Sequence, residues 1–437
     1  MTNCNQAAFE FPPVKRRRVQ AEFSGGDITS DGGVLLLRQA DQRLGLMRAV
    51  ADALDDPRDS RYVQHSLLSL LRQRVYGLCL GYEDLNDHAT LRNDPAIQSA
   101  VDRLEVLGSQ STLCRLENQA DRATAVALHR VLIEQFIASF DSPPEELILD
   151  FDATDDRVHG HQIDRFFHGY YDSYCFLPLY VFCGDQALVS YLRPSNIDGA
   201  KHAWGILALL VKRLRQSWPA LRIIFRGDSG FCRHQMLDWC ERHDVGYIVG
   251  LARNPRLEAI IEEPMRLVEQ MHRLSGKKQR EFFRLHYAAN SWSHRRQVIA
   301  KLEVTEKGRN PRFIVTNLDG DKQYLYDKLY CARGEMENRI KEQQLGLFAD
   351  RTSAHHWWPN QFRLLLSTLA YVLMETIRRI GLVGTDLARA QVGTIRLKLL
   401  KIGAVILRNT RRIRLLLSSA CPYQEIFRMA AARRMPG

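Results

Sequence analysis

The sequence lacks a long apolar segment. Among its 437 residues, no stretch approaches the ~20 uncharged apolar positions that a transmembrane helix requires. The first residues, up to Pro13, also lack the basic and then apolar pattern of a signal peptide. We therefore expect a cytoplasmic protein that has no membrane partner.

The sequence also lacks any regular spacing of cysteine. Its nine cysteines are scattered along the chain, and no two of them form a Cys-x-x-Cys pair. This distribution indicates neither a structural zinc site nor a disulfide framework, and it is consistent with a reducing compartment. Internal repeats and low-complexity segments are missing as well, so a chain of this length predicts two or three ordinary structural units.

Positive charge is abundant by comparison. Lys and Arg number 61 against 50 acidic residues, which gives a net charge of +11 and a pI near 9.3. A surplus of this size favours a polyanionic partner, and nucleic acid before an anionic membrane. The charge is concentrated near both ends of the chain, and there the residues that we expect to contact DNA phosphates are Lys15, Arg16, Arg17, Arg18, Arg411 and Arg412.

The pattern of apolar residues changes along the chain and predicts a mixed α/β sheet flanked by helical regions. Helical periodicity precedes Ser142, and a β-β-β-α-β-α-β order follows it. The predicted strands of that order are Leu147–Ala153, Tyr174–Phe182, Ala187–Leu192, Leu221–Phe225 and Tyr247–Leu251. We predict five segments: a helical DNA-binding region (1–142), the first part of the core (143–254), a β-rich insertion (255–327), a core helix (328–356) and a basic helical region (357–437).

Two acidic residues lie at or just after the carboxyl ends of predicted strands. Asp152 ends a strand-like run, and alternation puts it on the same face as Asp150. Asp228 directly follows the run Leu221–Phe225, and an acid at the carboxyl end of such a strand faces the crevice where ligands bind. Asp150 and Asp155 remain alternatives for the first position, and a turn role remains an alternative for Asp228.

A third acid lies on a predicted helix. Its polar residues follow spacings of three and four, so they share one face, and they are Tyr330, Arg333, Glu337, Lys341 and Gln344. Such a face is often only solvated surface. Here Arg333 can grip a phosphate with its planar guanidinium, and Tyr330 can donate to a phosphate oxygen. Two-metal phosphodiester chemistry needs carboxylates that converge on cations ~4 Å apart, and Asp152, Asp228 and Glu337 are our candidates.

These motifs together resemble a known family. Asp-x-Thr at 152–154, Asp-Ser-Gly-Phe at 228–231 and Tyr-x-x-Arg-x-x-x-Glu at 330–337 resemble bacterial insertion-sequence transposases with an RNase H-like DDE core. Within these, the chain is most similar to the insertion-sequence 1380 family of the Tyr-Arg-Glu-Lys signature superfamily. Further similar motifs lie along most of the chain, among them Gly81-Tyr-Glu-Asp-Leu-Asn-Asp-His, Phe166-Phe-His-Gly-Tyr-Tyr, Ser195-Asn-Ile-Asp and Gly250-Leu-Ala-Arg-Asn.

The resemblance implies a fold, an activity and a set of partners. The fold would be an RNase H-like sheet whose β-rich insertion precedes the glutamate. The activity would be cut-and-paste transposition, with Asp152, Asp228 and Glu337 holding two Mg²⁺ ions that Mn²⁺ can replace. Tyr330, Arg333 and Lys341 would support them by contacting phosphate. The partners would be double-stranded DNA, both the terminal inverted repeats and the target, and a second protomer in a bacterial, nucleoid-associated homodimer.

The insertion of such transposases carries aromatic residues that stabilise a flipped base. Trp292 is the candidate for this role, and packing at a strand end is the alternative. The neighbouring Arg295 and Arg296 are expected to contact DNA.

One position departs from the family pattern. The signature lysine falls at Gln344, and Lys341 stands one turn earlier on the same face. Two other functions therefore stay open: an RNase H-like nuclease that cuts DNA without strand transfer, and a non-catalytic, transposase-derived regulator that binds DNA.

Overall fold

The computed structural model describes residues 8–433, so the outermost ends of the first and last predicted segments lie outside the described residues. The chain divides into two compact units. One unit contains the residues up to Leu116 and those from Leu373 onward, and the other is Glu117–Val372. The division into five segments stays a prediction.

Strands occur in both units. They are β1 (Phe9–Val14), β2 (Arg17–Ala21), β3 (Ile28–Thr29), β4 (Glu146–Ala153), β5 (Asp156–Arg157), β6 (Phe166–His168), β7 (Ser173–Phe176), β8 (Leu179–Cys183), β9 (Gln186–Tyr191), β10 (Arg222–Gly227), β11 (Gly246–Leu251), β12 (Gln279–Tyr287), β13 (Arg296–Thr305), β14 (Gly308–Arg309), β15 (Arg312–Thr316), β16 (Ala404–Arg408) and β17 (Ile413–Leu417).

Helices also occur in both units. They are α1 (Val34–Leu44), α2 (Leu46–Ala53), α3 (Leu67–Leu80), α4 (His88–Leu91), α5 (Pro95–Ala100), α6 (Gln110–Asn118), α7 (Arg122–Ala138), α8 (Ala203–Ser217), α9 (His234–Arg242), α10 (Pro255–Ser275), α11 (Lys322–Tyr324), α12 (Gly334–Lys341), α13 (Trp357–Thr376), α14 (Val392–Ile395) and α15 (Gln424–Ala432). Tighter or wider helical turns at Leu325–Tyr330, Cys331–Arg333 and Glu342–Gly346 make residues 322–346 helical throughout. Within residues 8–433, no helix combines the length and apolar content needed to cross a membrane.

One large sheet organises the unit Glu117–Val372. Its strand order is β12-β13-β15-β11-β10-β4-β8-β9, with β14 paired to β13. Strands β4, β10 and β11 are parallel, and their neighbours on both sides are antiparallel. The predicted mixed α/β architecture is therefore confirmed. The segment 255–327 contributes four of these strands, β12 to β15, which extend the same sheet beyond β11.

The two faces of the sheet bury different residues. On β4, Leu149 and Phe151 are fully buried in the larger core beneath helices α8 to α10. Burial of each such side chain contributes about 1.5–3 kcal/mol. The alternate position Ile148 packs in a second core with Leu325 and Tyr326, which lie on the helical stretch before α12. Alternation therefore directs Asp150 and Asp152 to the face that this helical stretch covers.

Two strand features correct the predicted pattern. The C-terminal region, predicted to be helical throughout, contains the β16–β17 hairpin, in which Ala404 and Ile406 are buried in alternation. This period of two was obscured by the many basic residues around it. The predicted strand Tyr174–Phe182 is divided into β7 and β8, since Pro178 has no N–H to give to a ladder.

The N-terminal basic run also has regular structure. Lys15 and Arg16 form the turn of the antiparallel β1–β2 hairpin, and Arg17 and Arg18 begin its second strand. This run lies in the region 1–142, for which the sequence predicted helices. The alternating Phe9 and Phe11 were the missed sign of a strand.

Candidate active site

The first two acids leave adjacent parallel strands. Gly227 on β10 is aligned with Phe151 on β4, so the following residues, Asp228 and Asp152, emerge side by side at the carboxyl edge. The Asp152 side chain is only 13% exposed, and its Oδ1 accepts from the N–H of Ala153 at 2.9 Å.

Asp228 has a structural contact in addition to its place at the strand end. Its Oδ1 accepts from the N–H of Gly230 at 2.8 Å and so caps the short turn Ser229–Phe231. This is the turn role that the sequence left open. It uses one carboxylate oxygen, and the other remains without a protein hydrogen bond among the described residues.

The third acid, Glu337, lies on α12 and is linked to the strand ends by Arg333. The Arg333 guanidinium donates to Glu337 Oε1 at 2.5 Å and to Asp152 Oδ2 at 3.3 Å. Arg333 is one helical turn before Glu337, so both side chains lie on the same face. The guanidinium therefore bridges carboxylates that are far apart in the sequence.

The electrostatics place all three acids within reach of one another. Burial raises the pKa of Asp152 to about 7, the positive Arg333 opposes this shift, and the carboxylates of Asp228 and Glu337 reinforce it. Oxygen donors that repel one another are the ligands that a hard divalent cation prefers. The donor set therefore suits Mg²⁺ or Mn²⁺, with Asp152, Asp228 and Glu337 as the residues that would hold it.

The three carboxylates are splayed rather than closed around a single point. In residues 8–433, the group of His, Cys, Asp and Glu whose ligand atoms all lie within 4.8 Å of one another is Asp238, Glu241 and His294. In that group both acids already pair with the buried Arg296, at 2.7 Å for Glu241. The triad is more open because Arg333 lies between two of its members.

The alternatives to Asp152 are used elsewhere. Asp150 is 2% exposed and is held by two donors of Arg226, one of them at 2.7 Å from Oδ2. Burial raises the pKa of Asp150, and Arg226 opposes that shift. Asp155 pairs with the exposed Arg157 at 3.3 Å. Asp152 is therefore the acid of this segment that faces both Asp228 and Glu337.

Two residues that the sequence did not single out hold the site together. Arg226 also donates to the backbone carbonyl of Leu329, so it ties β4 and β10 to the helical stretch that carries Glu337. Gly250 on β11 leaves no room for a side chain. A Cβ there would lie 2.7 Å from both Ser229 N and Tyr330 Oη. Alternation of polar residues on β10 was the available signal for Arg226, but the strand register that pairs it with Asp150 was unknown.

The supporting residues of the predicted helical face lie in different environments. Tyr330 packs against the turn that carries Asp228, and burial raises its pKa. Lys341 is exposed at the end of α12. Gln344 donates to the carbonyl of Asp155 at 3.0 Å, so the position of the signature lysine is tied to the segment that follows Asp152.

The residues predicted to contact DNA lie in different environments. Trp292 is partly buried against the large core, with its ring edge-on to Tyr287 at 5.6 Å, and its role in base stacking stays a prediction. Arg295 is exposed. Arg296 corrects our expectation: it is 3% exposed and bound by two carboxylates, so its charge is already satisfied inside the protein. Its sequence context gave no sign of the acids on α9.

The terminal basic residues belong to the other unit. Four of them, Lys15, Arg16, Arg17 and Arg18, are exposed on the β1–β2 hairpin. Arg411 and Arg412 are exposed in the turn between β16 and β17, where the Asn409 side chain accepts from both of their backbone N–H groups at 2.9 Å. They are accessible to a polyanion.

Comparisons with known proteins found a matching family and a similar solved structure. The family described as Transposase DDE domain group 1 matches residues 11–435. Among solved structures, a cryo-EM structure of the piggyBac transposase synaptic complex with hairpin DNA is similar at 10% identity, and the alignment covers 85% of this chain and 80% of that chain with a TM-score of 0.42. No curated protein matches the chain. With a match over nearly its whole length, the chain belongs to the Transposase DDE domain group 1 family.

Proposed function

We propose that this protein is a DNA transposase that recognises the terminal inverted repeats of an insertion sequence and moves it by cut-and-paste transposition. The observation that carries the proposal is the convergence of three acids from separate segments. Arg333 bridges Asp152 and Glu337, and the carboxylate of Asp228 is close enough to raise the pKa of Asp152. We further propose the insertion-sequence 1380 family as its closer kin, on the motifs of the sequence.

The catalytic core in this proposal is RNase H-like. The strand order β9-β8-β4-β10-β11, with an antiparallel first half and a parallel second half, supports this view. The first acid then lies on the central strand β4, the second follows β10, and the third lies on a helix that packs across that face.

Asp152, Asp228 and Glu337 would hold the Mg²⁺ ions, two of them in the full active site, with Mn²⁺ as a substitute. When bound, such ions polarise the scissile phosphate and lower the pKa of an attacking water or hydroxyl. The chain's own residues bind and orient the strand. Arg333 offers planar donors to a phosphate oxygen. Tyr330 would donate its hydroxyl to a phosphate oxygen, and Lys341 would add a positive charge to the same contact.

The sharpest test is the substitution Asp228→Asn. Asparagine keeps the Oδ1 acceptor that caps Gly230, so the turn is preserved while one ligand charge is removed. The variant should bind DNA taken from the two flanks of the coding region as the wild type does, and should not cleave it in Mg²⁺ or Mn²⁺. The matched control is Asp244→Asn, the same change at an exposed position with positive φ that asparagine tolerates. Normal cleavage by Asp228→Asn would refute the assignment.

A second assay separates the transposase from a nuclease and from a regulator. DNA ends that are already cut and carry a free 3′-hydroxyl should be joined to a target plasmid by the wild type. Cleavage without joining would indicate the nuclease, and binding with neither reaction would indicate the regulator. Sedimentation with and without the end DNA tests the proposed homodimer, and chromosome-associated localisation in a bacterial cell tests the nucleoid assignment.

A further inference from the structure

Strands β6 and β7 form a hairpin that is rich in exposed aromatic residues. This hairpin, residues 166–176, is called the aromatic hairpin below. Four of its rings are open to solvent: Phe166 at 37%, Phe167 at 55%, Tyr170 at 85% and Tyr174 at 49%. Large aromatic side chains normally bury most of their surface, so four exposed rings on one short hairpin mark a binding surface.

The exposed rings of the hairpin contact other flat groups. Phe167 and Tyr174 are directly opposite one another in the antiparallel ladder, with ring centroids 5.7 Å apart in an edge-to-face arrangement. The Arg165 guanidinium lies over the Tyr174 ring at 4.6 Å. Tyr170 stands at the turn, with its ring edge-on to Tyr171 at 5.0 Å. Flat rings and a flat guanidinium are the groups on which nucleobases stack.

The hairpin is anchored and needs no ordering to present these rings. Strand β7 pairs with both β5 and β6, and Ser195 Oγ donates to the Phe166 carbonyl at 2.8 Å. The preceding loop is tied by the N–H of Ile163, which donates to the His355 carbonyl at 2.9 Å. A surface that is already in place does not lose conformational freedom when a ligand binds.

The hairpin is continuous with the active site. Strand β5, its neighbour, begins at Asp156, a few residues after Asp152 on the same stretch of chain. Burial, reinforced by the carboxylates of Asp155 and Asp152, raises the pKa of Tyr171 to about 12, so this ring lies within electrostatic reach of the catalytic acid. A DNA strand whose phosphate is at Asp152 would therefore have its adjoining nucleotides near the hairpin.

We propose that the aromatic hairpin binds unpaired nucleobases of the DNA strand that enters the active site, by stacking on Tyr170 and on the Phe167–Tyr174 pair. The inference rests on the proposed function, because it takes DNA as the ligand of the neighbouring acids. Stacking accepts any base, since every base has a π-face. The site would therefore distinguish unpaired from paired DNA and would not distinguish one base sequence from another.

The test compares two probes that differ only in their bases. One is a duplex with a short single-stranded overhang, and the other carries an abasic overhang with the same backbone and charge. Binding to the full-length protein is measured without divalent metal, which prevents cleavage. The wild type should bind the base-bearing overhang roughly 10-fold more tightly than the abasic one. A 2-aminopurine in the overhang should lose fluorescence on binding.

Variants then assign the effect to the hairpin. Tyr170→Ala and Phe167→Ala should each remove most of the discrimination, whereas Tyr170→Phe should keep it, because the ring and not the hydroxyl does the stacking. Tyr170 is so exposed that its removal should not disturb folding. The matched control is Tyr324→Ala, an aromatic ring that is 60% exposed on α11, and it should discriminate like the wild type.

Two results would overturn the inference. The first is equal affinity of the wild type for the two overhangs. The second is unchanged discrimination in Tyr170→Ala and Phe167→Ala together with a loss of self-association in sedimentation, which would make the hairpin a protein contact. Cleavage of flank DNA in Mg²⁺, measured on the same preparations, reports on the proposed function separately. Base discrimination without cleavage would refute the transposase and leave the stacking site standing.

Discussion

Replacing Asp150 by alanine tests how the active site is held in place. The change leaves the Arg226 guanidinium, 7% exposed, without the carboxylate that now takes two of its donors. Removing one partner of a buried ion pair costs roughly 3–5 kcal/mol, because the remaining charge is uncompensated in the interior. At roughly 2–4 °C per kcal/mol for a unit of this size, the melting temperature should fall by about 10 °C.

Tryptophan fluorescence is a selective probe for this measurement. All six tryptophans lie in the unit Glu117–Val372, which is the unit that contains Asp150. Urea unfolding followed by tryptophan emission therefore reports the stability of the affected unit alone. The double variant Asp150→Leu with Arg226→Met removes both charges, and it should recover most of the loss because apolar replacement of a buried pair is often tolerated.

The same substitution distinguishes a structural acid from a metal ligand. Asp150→Asn should lower stability and still cleave DNA below its melting temperature, whereas Asp152→Asn should lose cleavage with little loss of stability. A stable but inactive Asp150→Asn would show that Asp150 is the ligand. A stability loss below about 1 kcal/mol in Asp150→Ala would show that Arg226 is compensated in another way.

Three further predictions follow from single contacts. Gly250→Ala should reduce the cleavage rate about 10²-fold with little change in DNA affinity, since its Cβ would lie 2.7 Å from Ser229 and Tyr330 and would displace the turn after Asp228 and the helical stretch before α12. The control is Gly205→Ala, whose Cβ would meet nothing within 4 Å, and it should cleave normally. Burial lowers the pKa of His88 from 6.5 to about 3, so the unfolded state binds the proton more readily than the folded state. This group should therefore reduce the free energy of unfolding by about 1.4 kcal/mol per pH unit as pH falls below 6.5. Urea unfolding followed by circular dichroism should show a shallower pH dependence in His88→Gln, and an unchanged slope would contradict this. Arg333→Gln should bind Mn²⁺ roughly 10-fold more tightly in calorimetry without DNA, because a competing cation is gone, and weaker binding would contradict its bridging role.

The strand ends of the active site were predictable from short-range patterns. The predicted strand Leu147–Ala153 is Glu146–Ala153 in the structure, and Leu221–Phe225 corresponds to Arg222–Gly227. Both are apolar runs bounded by turn-forming residues, so local composition was sufficient to find them. An acid at the end of such a run then lies at the carboxyl edge of the sheet, because the strand ends there.

The contacts that select among the acids were not predictable, because they depend on strand register and on distant pairing. Asp150 and Asp152 lie on the same face of one strand, and the arginines that distinguish them, Arg226 and Arg333, come from distant segments. Arg296 looked like a surface charge in a basic run, and its two acids are 55 and 58 positions away. Alternation in Ala404–Arg408 was hidden by composition, so that strand was assigned to a helix.

The bridge between Asp152 and Arg333 joins residues 181 positions apart. The ribosome therefore releases both strand-end acids long before the helix that completes their site. Between them it must synthesise β12, β13 and β15, which extend the sheet already begun. Long-range pairing of this kind forms late, after most of the sequence is available. A partly synthesised chain accordingly lacks Glu337 beside the two strand-end acids, so the proposed metal site can assemble only after α12 has been made.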